Sequence, residues 1–106
     1  MPYKNSPATY TQADGVVEVK TKNQNVKGHQ ISIGGNSITG TLDFEVKYHE
    51  DGVYETLFDT DGTTQKTVDL SANQTFNAEG YVHSFRVTPT SVDAEYKVLI
   101  LSGVDE

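Results

Sequence analysis

Residues 38–48 read Ile-Thr-Gly-Thr-Leu-Asp-Phe-Glu-Val-Lys-Tyr, and the fold turns on this stretch. Ile38, Gly40, Leu42, Phe44, Val46 and Tyr48 occupy one parity, and Thr39, Thr41, Asp43, Glu45 and Lys47 the other. Successive side chains of a strand point to opposite faces, so this period of two gives one face that is apolar apart from a glycine and one that is wholly polar. Burying the five apolar side chains contributes about 7 to 15 kcal/mol at about 1.5 to 3 each, an upper bound because it is counted against an extended chain. A strand of this kind needs an opposing layer.

The 106 residues are expected to make one core. Only 35% of the residues are hydrophobic, so that core should be thin. Leu, Ile, Val and Phe still total 25, enough to favour folding over disorder. Without cysteine there is neither a disulfide nor a thiolate zinc site, and compactness must come from packing or association. The start is polar, and no segment approaches the apolar length of a membrane span, so neither a cleaved signal nor membrane insertion is expected. A net charge of −7 has the wrong sign for binding nucleic acid or an anionic membrane. Residues 1–30 carry +2 and the remainder −9. That split reads either as a solvated acidic surface or as a basic arm that meets an acidic patch on a neighbour.

Residues 1–14 lack periodicity and are expected to be a flexible N-terminal arm, with the β domain occupying residues 15–106. Val17 and Val19 share a face with Thr21, and Ile31 and Ile33 share the next. Asp51-Gly52 supplies a hairpin turn after Tyr48, and residues 53–58 should return antiparallel with Tyr54 and Phe58 inward. Asp59-Thr60-Asp61-Gly62 is a second turn, and Val68 and Leu70 form the following apolar pair. Tyr81, His83, Phe85 and Val87 alternate with Val82, Ser84, Arg86 and Thr88 until Pro89, which should stop that strand. The last strand, 96–101, is apolar on both parities toward its end and should be well buried. Strands every 8 to 15 residues without helical spacing define an all-β antiparallel sandwich or jelly roll of about seven to eight strands.

Little in this pattern carries chemistry. Asp59-Thr60-Asp61-Gly62 fails the calcium-loop pattern, because Leu57 and Val68 fall at the first and twelfth ligand positions. His29, His49 and His83 lie in three elements without a local pair, and His83 reads as a satisfied, partly buried histidine. Gly34-Gly35-Asn36-Ser37 lacks the Lys-Ser/Thr of a phosphate loop and reads as a turn. Asp43 and Glu45 share a face as an acid pair of a sugar hydrolase would, but acids are ordinary on a solvated sheet face. No catalytic residue, cofactor or metal is therefore expected.

Thr39-Gly40-Thr41-Leu42-Asp43-Phe44-Glu45-Val46, Tyr54-Glu55-Thr56-Leu57, Asp59-Thr60-Asp61-Gly62 and Tyr81-Val82-His83-Ser84-Phe85-Arg86-Val87-Thr88-Pro89-Thr90 together resemble small β-sandwich structural proteins of tailed-bacteriophage virions. The similarity covers roughly residues 37–102. It implies a non-enzymatic capsid decoration (cement) protein that is made in the host cytoplasm, sits on the capsid surface as a symmetric dimer or trimer, and contacts the major capsid protein or another virion protein. A tail or baseplate component would share these features. The contact is expected from the arm and the basic residues beside it: Tyr3, Lys4, Tyr10, Lys20, Lys22 and Lys27. The competing class is a small carbohydrate-binding or adhesive module, and exposure of Tyr48, Tyr54, Tyr81 and Tyr96 discriminates the two, since tyrosines in the core cannot stack on a sugar.

Overall fold

The computed structural model describes residues 3–5, 8–21, 26–35, 37–58, 62–72 and 75–103, with backbone alone for 3–5. The chain is an all-β sandwich of two packed sheets. Its strands are β1 (Tyr3–Asn5), β2 (Ala8–Tyr10), β3 (Val17–Lys20), β4 (Gly28–Gly34), β5 (Thr41–Lys47), β6 (Glu55–Thr56), β7 (Thr67–Asp69), β8 (Thr75–Glu79), β9 (Ser84–Thr90) and β10 (Tyr96–Ser102). One sheet runs β1-β3-β9-β5 and ends on β6 and β7, which lie end to end along the same side of β5. The other runs β2-β10-β4-β8. All pairs are antiparallel except β1 with β3.

The central stretch keeps its parity: Leu42, Phe44 and Val46 are buried, while Thr41, Asp43 and Glu45 face outward. A slip of one residue would have exchanged those two sets. The strand is shorter than the alternation that announces it. At Gly40 the backbone takes φ +114 and the site where a Cβ would stand is 2.7 Å from Ser91 O, so the chain turns there and Ile38 reaches the core from outside the ladder. Tyr48 at the other end is exposed.

The core is built by Val17 and Val19 of β3, Ile31 and Ile33 of β4, Phe85 and Val87 of β9, and Tyr96, Val98 and Ile100 of β10, closed by Val68 and Leu70. Phe44 meets Phe76 edge to face with ring centres 5.0 Å apart, a geometry that aromatic quadrupoles favour.

Several expectations are corrected. Residues 3–5 and 8–10 are not an arm outside the sandwich, since they pair with β3 and β10, and Ala8 and Tyr10 are core residues. Their alternation spans three residues, too few for a period to register. Tyr54 lies over the outer face of the larger sheet and Phe58 is exposed, both instead of inward, and Leu57 packs against the core. The reason is that Leu57 and Phe58 leave the sheet together with Gln65 and Lys66, held by the Phe58–Gln65 bridge, with Phe44 bonding both Leu57 and Lys66 at the base. Pro89 does not stop β9, which runs on to Thr90. Residues 84, 86, 88 and 90 turn their backbone polar groups to β5, so the missing N–H of Pro89 falls on the β3 side, beyond the last β3 pair at Val87. The last strand is buried on one parity only, with Leu99 half-buried and Leu101 exposed on the outer face.

Candidate functional site

The outer face of the larger sheet carries a polar cluster. Glu18, Arg86 and Glu45 stand in one row across β3, β9 and β5, and Lys20, Ser84 and Lys47 stand in the next. Arg86 grips Glu45 with two bonds, Nε to Oε1 at 2.8 Å and Nη2 to Oε2 at 2.9 Å. This paired fork holds the guanidinium more firmly protonated than usual, chiefly through the bond to Glu45. Tyr54, just before β6, lies over both rows, with the Arg86 guanidinium 4.5 Å and the Lys47 ammonium 5.2 Å from its ring centre.

Hydrogen bonds fix the direction of a chain through this cluster. The Tyr54 hydroxyl donates to Glu18 Oε1 at 2.8 Å, because a carboxylate only accepts. Ser84 Oγ, 2.9 Å away, must then donate to the tyrosine oxygen. His83 Nδ1, 3.0 Å from Ser84 Oγ, is left as the donor to it. His83 is buried, and desolvation, followed by the charges of Lys47 and Lys20, pushes its pKa below the ordinary histidine value. Ser84 is fully buried and cannot meet a substrate, so the chain orders side chains and offers no nucleophile. His29 is also buried in the smaller sheet, with Nε2 3.0 Å from Gly80 O and Nδ1 2.9 Å from Ser102 Oγ. Among the described residues no three His, Cys, Asp or Glu are grouped to hold a metal ion, and no helix is long and apolar enough to cross a membrane. Asp59 to Asp61 lie outside the described residues.

The residues expected to make a contact are not one group. Tyr10 is buried and its hydroxyl donates to Glu18 O at 3.3 Å, so as a surface contact it is corrected to a core residue. Tyr3 and Lys4 belong to β1, whose backbone pairs with β3 and whose side chains lie outside the described residues, as does all of Lys22. Lys20 is half-buried in the cluster above. Lys27 is exposed, its ammonium 5.7 Å from the centre of the Tyr81 ring.

Of the four tyrosines that discriminate the two readings, Tyr96 is buried and Tyr54 is held in the cluster, whereas Tyr48 and Tyr81 are 39% and 53% exposed. Both flank Gly80, where a Cβ would come within 3.0 Å of the Tyr48 ring. Among the described residues, Val53, Phe58 and Leu101 are the other large apolar side chains on the surface. The sequence showed the apolar alternation that builds both sheets but had no signal for the Tyr54 cluster, because its members come from β3, β5, β9 and the turn before β6. Comparison with protein-family models, with characterised proteins and with solved structures finds no match.

Proposed function

We propose that this chain is a non-enzymatic structural protein of a tailed-phage virion, of the capsid decoration type, which binds the major capsid protein or another virion protein as a symmetric oligomer. The observation that carries the reading is where the phage-like stretches fall. Residues 39–46 and 81–90 supply most of β5 and β9, neighbours at the middle of the larger sheet, and the Arg of the second stretch clasps a Glu of the first. Two of the four stretches therefore supply the middle of the larger sheet and share one specific contact across it. The polar cluster fits a scaffold role, because Tyr54 bonds both Glu18 and Ser84, Arg86 bonds Glu45, and Lys47 lies over the Tyr54 ring.

The test is antibody labelling of virions from the genome that encodes the chain, followed by rebinding of purified protein to shells stripped of it. Labelling of the head and saturable rebinding are expected. Labelling confined to the tail would replace decoration by a tail role, and labelling of neither would refute the reading. The exposed pair Tyr48 and Tyr81 favours a second reading, a carbohydrate-binding module, since two accessible rings can stack on a sugar. Glycan retention that is lost in Tyr48→Ala and Tyr81→Ala would favour it.

A further inference from the structure

We infer that strand β8 is the self-association edge of this protein, and that two copies pair their β8 strands antiparallel across a two-fold axis, joining the two smaller sheets into one continuous sheet. This deepens the oligomeric part of the proposed function and rests on that reading for its biological role.

Lys27 O accepts from Gly80 N, and Gly28 O accepts from Gly103 N on the β10 side. Polar groups of successive residues in a strand point to opposite sides, so His29 and Ile31 face β8 and engage their partners Ala78 and Phe76. The N–H and C=O groups of Thr75, Asn77 and Glu79 consequently point away from the sheet. The sheet ends at β8, and no described strand pairs with that side. A regular row of unpaired donors and acceptors is a template for another strand.

The other edges are defended and this one is not. β1 and β2 are three residues long, and they close one side of the sandwich by passing from the larger sheet to the smaller. The edge formed by β6 and β7 is broken where Phe58 and Gln65 bridge to each other outside the sheet. Short strands and interrupted ladders are devices that block edge pairing. β8 is five residues long and has no proline, lysine or glycine.

Its sequence is also self-complementary. Centring the two-fold on Asn77 sets Asn77 opposite Asn77, Thr75 opposite Glu79 and Phe76 opposite Ala78 of the second copy. All three outward-facing residues of each strand then meet outward-facing residues, so every free backbone group in the strand finds a partner. Both Glu79 side chains oppose a threonine, whereas a register centred on Glu79 would set the two carboxylates face to face. On the inner side the half-buried Phe76 ring, which already packs on Phe44 and carries the Lys66 ammonium at 4.9 Å, gains the small Ala78 as its neighbour. A second copy thus satisfies the edge and covers the exposed part of an aromatic ring. An unrelated strand would supply only the hydrogen bonds.

The test is sedimentation of the full chain over a range of concentrations, without capsids, so that its outcome is independent of where the protein sits in a virion. Concentration-dependent conversion to a species of twice the 11.6 kDa chain mass is expected. Asn77→Pro removes an outward N–H and no bond of the β4 ladder, and Asn77→Lys sets two ammonium groups against each other on the axis. The proline variant should abolish the dimer, and Asn77→Lys should weaken it a few-fold. Asn77→Lys should also retain a cooperative melt, and it decides the matter if the proline variant does not fold. A wild-type monomer at every concentration, a dimer that persists in folded Asn77→Pro, or association of folded Asn77→Lys as tight as that of the wild type, would overturn the inference.

Discussion

Phe44→Ala tests the core packing most directly. The ring is fully buried on β5, meets Phe76 edge to face, and is closed in by neighbouring strands of both sheets. Truncating a buried phenylalanine costs about 3 to 5 kcal/mol, comprising the lost transfer energy and the cavity left behind. Phe76 is half-buried on an edge strand and free to lean into the space, which places the expected cost toward the lower end. An unfolding entropy of about 2.1 cal/mol/K per residue over 106 residues converts this range into a fall in Tm of about 13 to 22 °C. The assay is thermal unfolding followed by circular dichroism at one fixed concentration, because self-association would make Tm depend on it. Thr41→Ala, on the half-buried outer parity of the same strand, is the control and should change stability by less than about 0.5 kcal/mol. A Phe44→Ala melt within about 3 °C of the parent would refute the packing described for β5.

Three further outcomes follow from particular contacts. A chain beginning at Gly15 loses Ala8 and Tyr10 and uncovers Tyr96 and Val98 on β10, so it should be destabilised by at least about 3 kcal/mol in a denaturant titration, and an unchanged midpoint would place the first residues outside the core. Gly40→Ala forces a side chain into a left-handed position 2.7 Å from Ser91 O, and its melt should fall by more than that of Gly62→Ala, where φ is also positive but nothing lies within 4 Å. Burial lowers the pKa of His29, so the folded state binds fewer protons than the unfolded chain; the stability this gives is complete above about pH 6.5 and is lost as pH falls below it. Melts at pH 7.5 and 5.0 should therefore show a loss on acidification that His29→Gln reduces, with His83 supplying the remainder, and Asp69 and Asp93, whose pKa values are also lowered, contributing only near pH 4 and below.

What the sequence determined by itself is the set of strands whose two parities differ sharply in polarity. In β5, β4, β9 and β3 the choice of face follows from the residues alone, because any other register would bury charged or amide side chains and expose valine, isoleucine or phenylalanine. The tertiary structure decided everything that depends on neighbours distant in sequence. Tyr10 and Phe58 are both aromatics in short polar surroundings, yet β10 offers Tyr96, 5.9 Å from the Tyr10 ring, while the bridge to Gln65 holds Phe58 away from the sheet. Lys47 lies on the polar parity and is nevertheless buried, because the chain folds the Tyr54 ring over it. Leu99 and Leu101 are as apolar as Val98 and Ile100, and only the placement of the opposing sheet on one side of β10 separates them. The edge position of β8 has the same origin: its five residues carry no mark of being last in the sheet, since a strand's place in the order is set by long-range pairing, and local alternation records only which face is inward.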